Sequence, residues 1–172
     1  MKIAVYPGSF DPITRGHLDL IRRGLHLFDR LVIGIGINSQ KKPRFTEAQR
    51  ITLIKTATAP LRKRVRVLSF DGMLGDFAVQ NDAQFILRGM RTLSDFDFEF
   101  QIAFANQALY PKLETVFVAT EPKFTAVSSS VVRELLQRSH WRSNPALLET
   151  FVPKQVAALI QKWERKTWHA LK

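Results

Sequence analysis

The stretch Tyr6-Pro7-Gly8-Ser9-Phe10-Asp11-Pro12-Ile13-Thr14-Arg15-Gly16-His17 joins a strand pattern to a helical one. A glycine lets backbone come close to a ligand, and Ser9 adds a hydroxyl at the end of the strand. His17 falls in the first turn of the helix, where unpaired N–H groups and the positive end of the dipole favour phosphate. A second cluster, Arg88-Gly89-Met90-Arg91, closes another strand pattern, with Asp95, Asp97 and Glu99 just behind it. Two arginines about a glycine suit bidentate capture of phosphate oxygens. Ion pairing with the following acids is the structural alternative, and both hold if the acids orient the arginines. In the third cluster Phe124-Thr125-Ala126-Val127 leads into Ser128-Ser129-Ser130 at a helix start, where a plain cap needs only one hydroxyl. Lys41 and Lys42, after Asn38-Ser39-Gln40, add cations behind a further strand.

Other chemistries lack their residues. With no cysteine there is no thiolate zinc site, iron–sulfur cluster, disulfide scaffold or Cys nucleophile. His17, His26, His140 and His169 have no metal-ligand spacing, and neither a Walker A loop nor a Gly-x-Ser-x-Gly elbow occurs. Gly34-Ile35-Gly36 lies inside a strand pattern rather than opening a helix, so it is no dinucleotide fingerprint. The longest apolar run, Leu31 to Ile37, is far too short to cross a bilayer. Met1-Lys2 runs straight into a strand pattern with no signal-peptide signature, so a soluble cytoplasmic protein is expected.

The elements that must hold these clusters follow from periodicity. Short β-rich runs at Ile3–Tyr6, Leu31–Ile37, Val65–Phe70, Phe85–Leu87 and Thr115–Ala119 alternate with helical patterns. The helices begin with Leu18, Ile21, Leu25 and Phe28, continue behind a capping box at Thr46 and Gln49 to about Ala59, and recur at Leu74–Gln80, Leu93–Leu109 and Ser128–Gln137. Val156, Ile160 and Trp163 mark one face of a terminal helix. This alternation predicts an open, doubly wound, mostly parallel five-stranded α/β sheet, whose ligands bind beyond the carboxyl ends of the strands. The chain reads as one domain over 1–160 with a basic helical extension over 161–172.

Taken together, the opening stretch with Thr14-x-Gly16-His17, Arg88-Gly89-x-Arg91 and Ser128-Ser129-Ser130 resembles the nucleotidyltransferase superfamily, and within it the bacterial phosphopantetheine adenylyltransferase family. The resemblance spans about residues 2 to 160 and implies a Rossmann-like nucleotidyltransferase fold. It implies adenylyl transfer from ATP to 4'-phosphopantetheine, giving dephospho-CoA and pyrophosphate in coenzyme A biosynthesis, with Mg²⁺ on the triphosphate and a homohexamer. No metal ligand among the side chains follows from it. By the same resemblance His17 would hydrogen-bond the α-phosphate in the transition state. Ser9, Lys41 and Arg88 would hold the acceptor's phosphate, and Leu74 and Asn106 would line its pantetheine arm. The ATP site would comprise Ser9, Phe10, His17, Gly89, Met90, Arg91, Glu99, Phe124, Thr125, Ala126, Val127, Ser128, Ser129 and Ser130. The chain departs from the family pattern at Ser9, where threonine is commoner, at Arg15, Phe98, Phe124 and Ala126, without losing a phosphate-handling group.

The 172 residues carry 26 Lys+Arg against 15 Asp+Glu, a net charge of +11, which asks for an anionic partner. Lys41, Arg88 and Arg91, with Arg15 beside them, assign part of that charge to two phosphorylated metabolites. A nucleotidyltransferase with another acceptor, such as nicotinamide mononucleotide, is the near alternative. An RNA-binding module is the distant one: Arg62-Lys63-Arg64 lacks the interleaved aromatics such a module uses, so neither nucleic acid nor membrane is expected as partner.

Overall fold

The computed structural model describes residues 1–37, 40, 42–138, 141 and 144–170, with backbone alone at 93–95 and 166–170. Strands β1 (Ile3–Gly8), β2 (Arg30–Gly36), β3 (Val65–Phe70), β4 (Phe85–Met90) and β5 (Glu114–Ala119) form one parallel sheet in the order β3-β2-β1-β4-β5. Burial on both faces explains the near-continuous apolar strands. Ala4 and Tyr6 of β1 and Leu31, Ile33 and Ile35 of β2 face one core. Val5 and Val32, alternating with them, face the other.

Helices α1 (Arg15–Leu27), α2 (Glu47–Ala57), α5 (Ser129–Gln137), α6 (Ala146–Phe151) and α7 (Lys154–Ala170) contribute to the larger core, and α3 (Leu74–Gln80) to the smaller. Helix α4 (Leu93–Leu109) lies against β4 and β5. The helix starts are chemically specified. Thr14, Thr46 and Ser128 cap α1, α2 and α5, each hydroxyl accepting from the backbone N–H three residues on. In α2 the expected Thr46–Gln49 capping box forms; in α1 His17 takes the reciprocal role through Nδ1.

Two strands outrun their sequence patterns. β1 continues through Pro7 and Gly8, paired with Gly34 and Ile35, and β4 continues through Arg88, Gly89 and Met90, paired with Phe117, Val118 and Ala119. Gly89 lets Leu20 of α1 pack close on β4, because a Cβ would lie 2.8 Å from a methyl of Leu20 and displace it. The chain winds outward from β1 through β2 to β3, then crosses back to β4 and β5. Beyond the carboxyl ends of β1 and β4 this reversal opens a crevice.

Some of the basic segment is structural. Arg64 donates from Nε to the Asp29 carbonyl and from Nη2 to the carbonyls of Leu25 and Phe28, closing the C-terminal end of α1. Glu164 of α7 accepts from Arg44 at 2.6 Å, and the Trp163 ring lies 6.2 Å from that of Phe45. The terminal helix therefore braces the segment that enters α2, and it runs without interruption through residue 160.

Candidate active site

A cleft of about 350 Å³ occupies the crevice between β1 and β4. Its lining joins all three sequence clusters: Ser9 and His17; Arg88, Gly89, Arg91 and Glu99; and Phe124, Val127, Ser128, Ser129 and Ser130. Parallel pairing of β1 with β4 brings the first two together, and the start of α5 closes the third side.

His17, half-buried, stands at the centre of this lining. The Thr14 N–H donates to its Nδ1 at 3.0 Å, so Nδ1 is an acceptor and the proton of the neutral ring resides on Nε2. Burial, with a smaller push from Arg91, drives its pKa from 6.5 down to about 4. The imidazole is thus a neutral donor at physiological pH, not an imidazolium. The Phe10 ring holds it edge-on with centroids 5.0 Å apart. Burial also raises the pKa of the Tyr6 phenol beside it, against the opposing fields of Arg88 and Arg91.

Arg88 is ion-paired with Glu99 of α4, its Nε donating at 2.5 Å. The pairing expected of the strand-end arginines and the following acids is realised here within the cleft wall, so the carboxylate orients the guanidinium. The three serines divide their work. Ser128 caps α5, Ser129 donates to the Pro12 carbonyl at 2.8 Å, and Ser130 accepts from Arg133 at 2.9 Å. They fasten the helix start to the first loop and leave the N-terminal turn of α5 facing the cleft.

The first loop is held from several sides. Asp11, 4% exposed, accepts from the backbone N–H groups of Arg44 and Phe45, both at 2.9 Å. Its carbonyl accepts from Arg133, and the Ser9 carbonyl accepts from Arg50. These hydrogen bonds fix the loop as a mount for His17.

Other sequence-chosen residues fall outside the cleft lining. The Phe10 side chain is 1% exposed and belongs to the core, which leaves only its backbone for a ligand. Met90, Thr125 and Ala126 do not line the cleft. Leu74 and Asn106 adjoin Arg88 and Glu99, which also line the cleft, but the gap between them is too narrow to hold a water molecule. Lys41 lies outside the described residues. Arg15 corrects an expectation: its guanidinium donates to the carbonyls of Glu149 and Val152 at the end of α6, so it adds nothing to the phosphate site. Thr120 and Arg133, which sequence reasoning missed, both line the cleft. Arg133 stands one helical turn after Ser129 and Ser130, a spacing that would have found it.

A parallel sheet with a phosphate-suited crevice at its switch point defines a nucleotide-handling α/β protein, and comparison with known proteins agrees. The cytidylyltransferase-like family model matches residues 5–135. A phosphopantetheine adenylyltransferase of Caldanaerobacter subterraneus subsp. tengcongensis is 42% identical over 96% of this chain and 99% of the relative. One from Clostridium botulinum is 46% identical over 91% and 94%. The solved Plasmodium falciparum nicotinic acid mononucleotide adenylyltransferase, 14% identical, shares the fold with a TM-score of 0.67 over 94% of this chain and 95% of that one. The chain belongs to the cytidylyltransferase-like family and, within it, to the phosphopantetheine adenylyltransferases.

Proposed function

We propose that the cleft transfers the adenylyl group of ATP to 4'-phosphopantetheine, yielding dephospho-CoA and pyrophosphate in coenzyme A biosynthesis. Family membership supports the activity, and one observation carries the mechanism: a half-buried, neutral His17 held by Thr14 among cleft-lining arginines and the N-terminal turn of α5.

A phosphate oxygen of the acceptor attacks the α-phosphorus of ATP, a new P–O bond forms, and the bond from the α-phosphorus to the bridging oxygen breaks as pyrophosphate leaves. The acceptor is already an anion near neutral pH, so no protein base or nucleophile is needed. Positioning and charge stabilisation do the catalysis. His17 Nε2–H donates to a non-bridging oxygen of the α-phosphate as charge grows there. Arg88, oriented by Glu99, holds the acceptor's phosphate together with Lys41 and Ser9, while Leu74 and Asn106 line the path of its arm. Arg91, Arg133 and the α5 N-terminus face the triphosphate.

Among the described residues no group of three or more His, Cys, Asp or Glu is arranged to hold a metal, and Glu99, the one carboxylate lining the cleft, is committed to Arg88. This donor set fits a Mg²⁺ that arrives on the triphosphate, ligated by phosphate oxygens and water. When bound there it neutralises charge on the leaving phosphates.

A homohexamer in the cytoplasm completes the proposal. Phe98 (64% exposed), Phe104 (59%) and Leu109 (59%) of α4 form an apolar surface of the kind that self-association covers. No helix among the described residues is long and apolar enough to cross a membrane. Sedimentation mass tests the assembly. Pyrophosphate release from ATP with phosphopantetheine tests the activity, and turnover with nicotinamide mononucleotide instead would reject this acceptor.

A further inference from the structure

Arg50, in the first turn of α2, is 5% exposed and lies directly behind the first loop, where its Nη1 donates to the Ser9 carbonyl at 2.9 Å. Its Nε is buried with no hydrogen-bond partner. Nearby arginines are neutralised: Arg44 faces Glu164, Arg88 faces Glu99, and Arg133 lies 3.9 Å from the Asp11 carboxylate. Arg50 has no ion pair among the described residues. A buried guanidinium without a counter-charge costs free energy in the empty protein, and any anion brought close to it recovers part of that cost.

The Ser9 contact also has a geometric consequence. The Ser9–Phe10 peptide is trans, so its N–H points opposite to its carbonyl. With the carbonyl turned back onto Arg50, the Phe10 N–H is directed away from α2. Phe10 holds a left-handed conformation, φ 46°, which a non-glycine residue adopts only when its surroundings enforce it. The Phe10 side chain is locked in the core, so this N–H is the only donor the residue can offer a ligand.

We propose that Arg50 is a positioning residue of the phosphate site: it turns the Ser9–Phe10 peptide so that the Phe10 N–H faces bound phosphate, and its uncompensated buried charge favours the anion. The inference rests on the assignment of the cleft as an ATP site. It separates two properties that a purely structural arginine would keep together, namely stability of the empty protein and affinity for the anion.

The test is calorimetric titration of ATP into the wild type, Arg50→Lys and Arg50→Met, with the melting temperature of each ligand-free protein measured alongside. Lysine keeps the charge and a donor; methionine keeps the volume and removes both. The expected result is an ATP Kd raised roughly tenfold in R50M, the scale of one charge-assisted hydrogen bond. R50K should stay near the wild type, and neither affinity should follow the order of melting temperatures. Arg50→Gln serves as the neutral variant if R50M does not fold. Wild-type-like ATP affinity in a folded neutral variant would overturn the role of Arg50, and so would equal losses in R50K and R50M that track their melting temperatures. Failure of the wild type itself to bind ATP would instead reject the assignment of the cleft.

Discussion

The cleft and the outer surface of α4 are two sides of one helix and teach opposite lessons. Into the cleft α4 sends Glu99, whose carboxylate fixes Arg88; outward it exposes Phe98, Phe104 and Leu109, of which Phe104 meets the Phe100 ring on one side only. The described part of the cleft is built within one chain: its loop carbonyls and carboxylates accept from neighbouring side chains and backbone, and its shape follows from the β1–β4 switch. The α4 surface leaves exposed apolar side chains of the kind that association covers. The proposed catalytic geometry is thus built within one chain, and the proposed assembly is what would need a second copy.

That contrast can be broken most strongly at His17. His17→Ala should lower kcat by roughly 10²–10³-fold, the usual loss for a transition-state donor, in a protein of unchanged mass and circular dichroism. His17→Gln should lose a similar factor while preserving the helix start, because Gln49 already makes the same capping box in α2. Wild-type turnover in either folded variant would contradict the assignment.

The half-buried imidazole also has a stability signature. Unfolded His17 takes up a proton near pH 6.5, whereas in the folded chain it does so only near pH 4. The folded state therefore binds fewer protons between those values, so stability falls as pH drops from 6.5 and levels off below about 4. The penalty is on the order of 3 kcal/mol. Denaturant melts at stepped pH should show this acid limb in the wild type and a smaller one in His17→Gln; parallel curves would mean that the ring is solvated.

Smaller effects separate the two substrates and then the two surfaces. Arg88→Ala should raise the KM for phosphopantetheine roughly tenfold or more, as expected for a charge-assisted bond and an orphaned Glu99, with little change in ATP affinity measured by calorimetry. An equal loss for both substrates would move Arg88 from the acceptor to the nucleotide. Phe98→Asp with Phe104→Asp should lower the sedimentation mass while leaving ATP affinity unaltered. Retention of the full assembly would place the interface elsewhere.

How much of this was legible in the sequence depended on which force set each feature. Two-sided burial wrote itself into β1 and β2 as apolar runs, and capping chemistry marked the start of α2 at Thr46. Strand ends were harder to see. Pro7 and Gly8 read as loop, yet they pair with Gly34 and Ile35 because the neighbouring strand is already in place. Helix α6 has six residues between Pro145 and Pro153, too few for a period to emerge. In the site, phosphate-suited residue types were visible at Ser9, His17, Arg88, Arg91 and the serines. The direction of a long side chain was not: Arg15 looked like a phosphate contact and closes α6 instead, whereas Arg133 drew no reading and lines the cleft. Charge gives the chemistry a residue can do, and packing decides where it does it.

The central claim is that a neutral, half-buried histidine and its surrounding cations carry adenylyl transfer to one particular phosphorylated acceptor. Its most direct test is pyrophosphate release from Mg-ATP with 4'-phosphopantetheine or nicotinamide mononucleotide, in wild type and His17→Gln side by side. The account predicts release with phosphopantetheine alone, cut roughly 10²–10³-fold by the substitution. Release with the mononucleotide only, or release indifferent to His17, would contradict it.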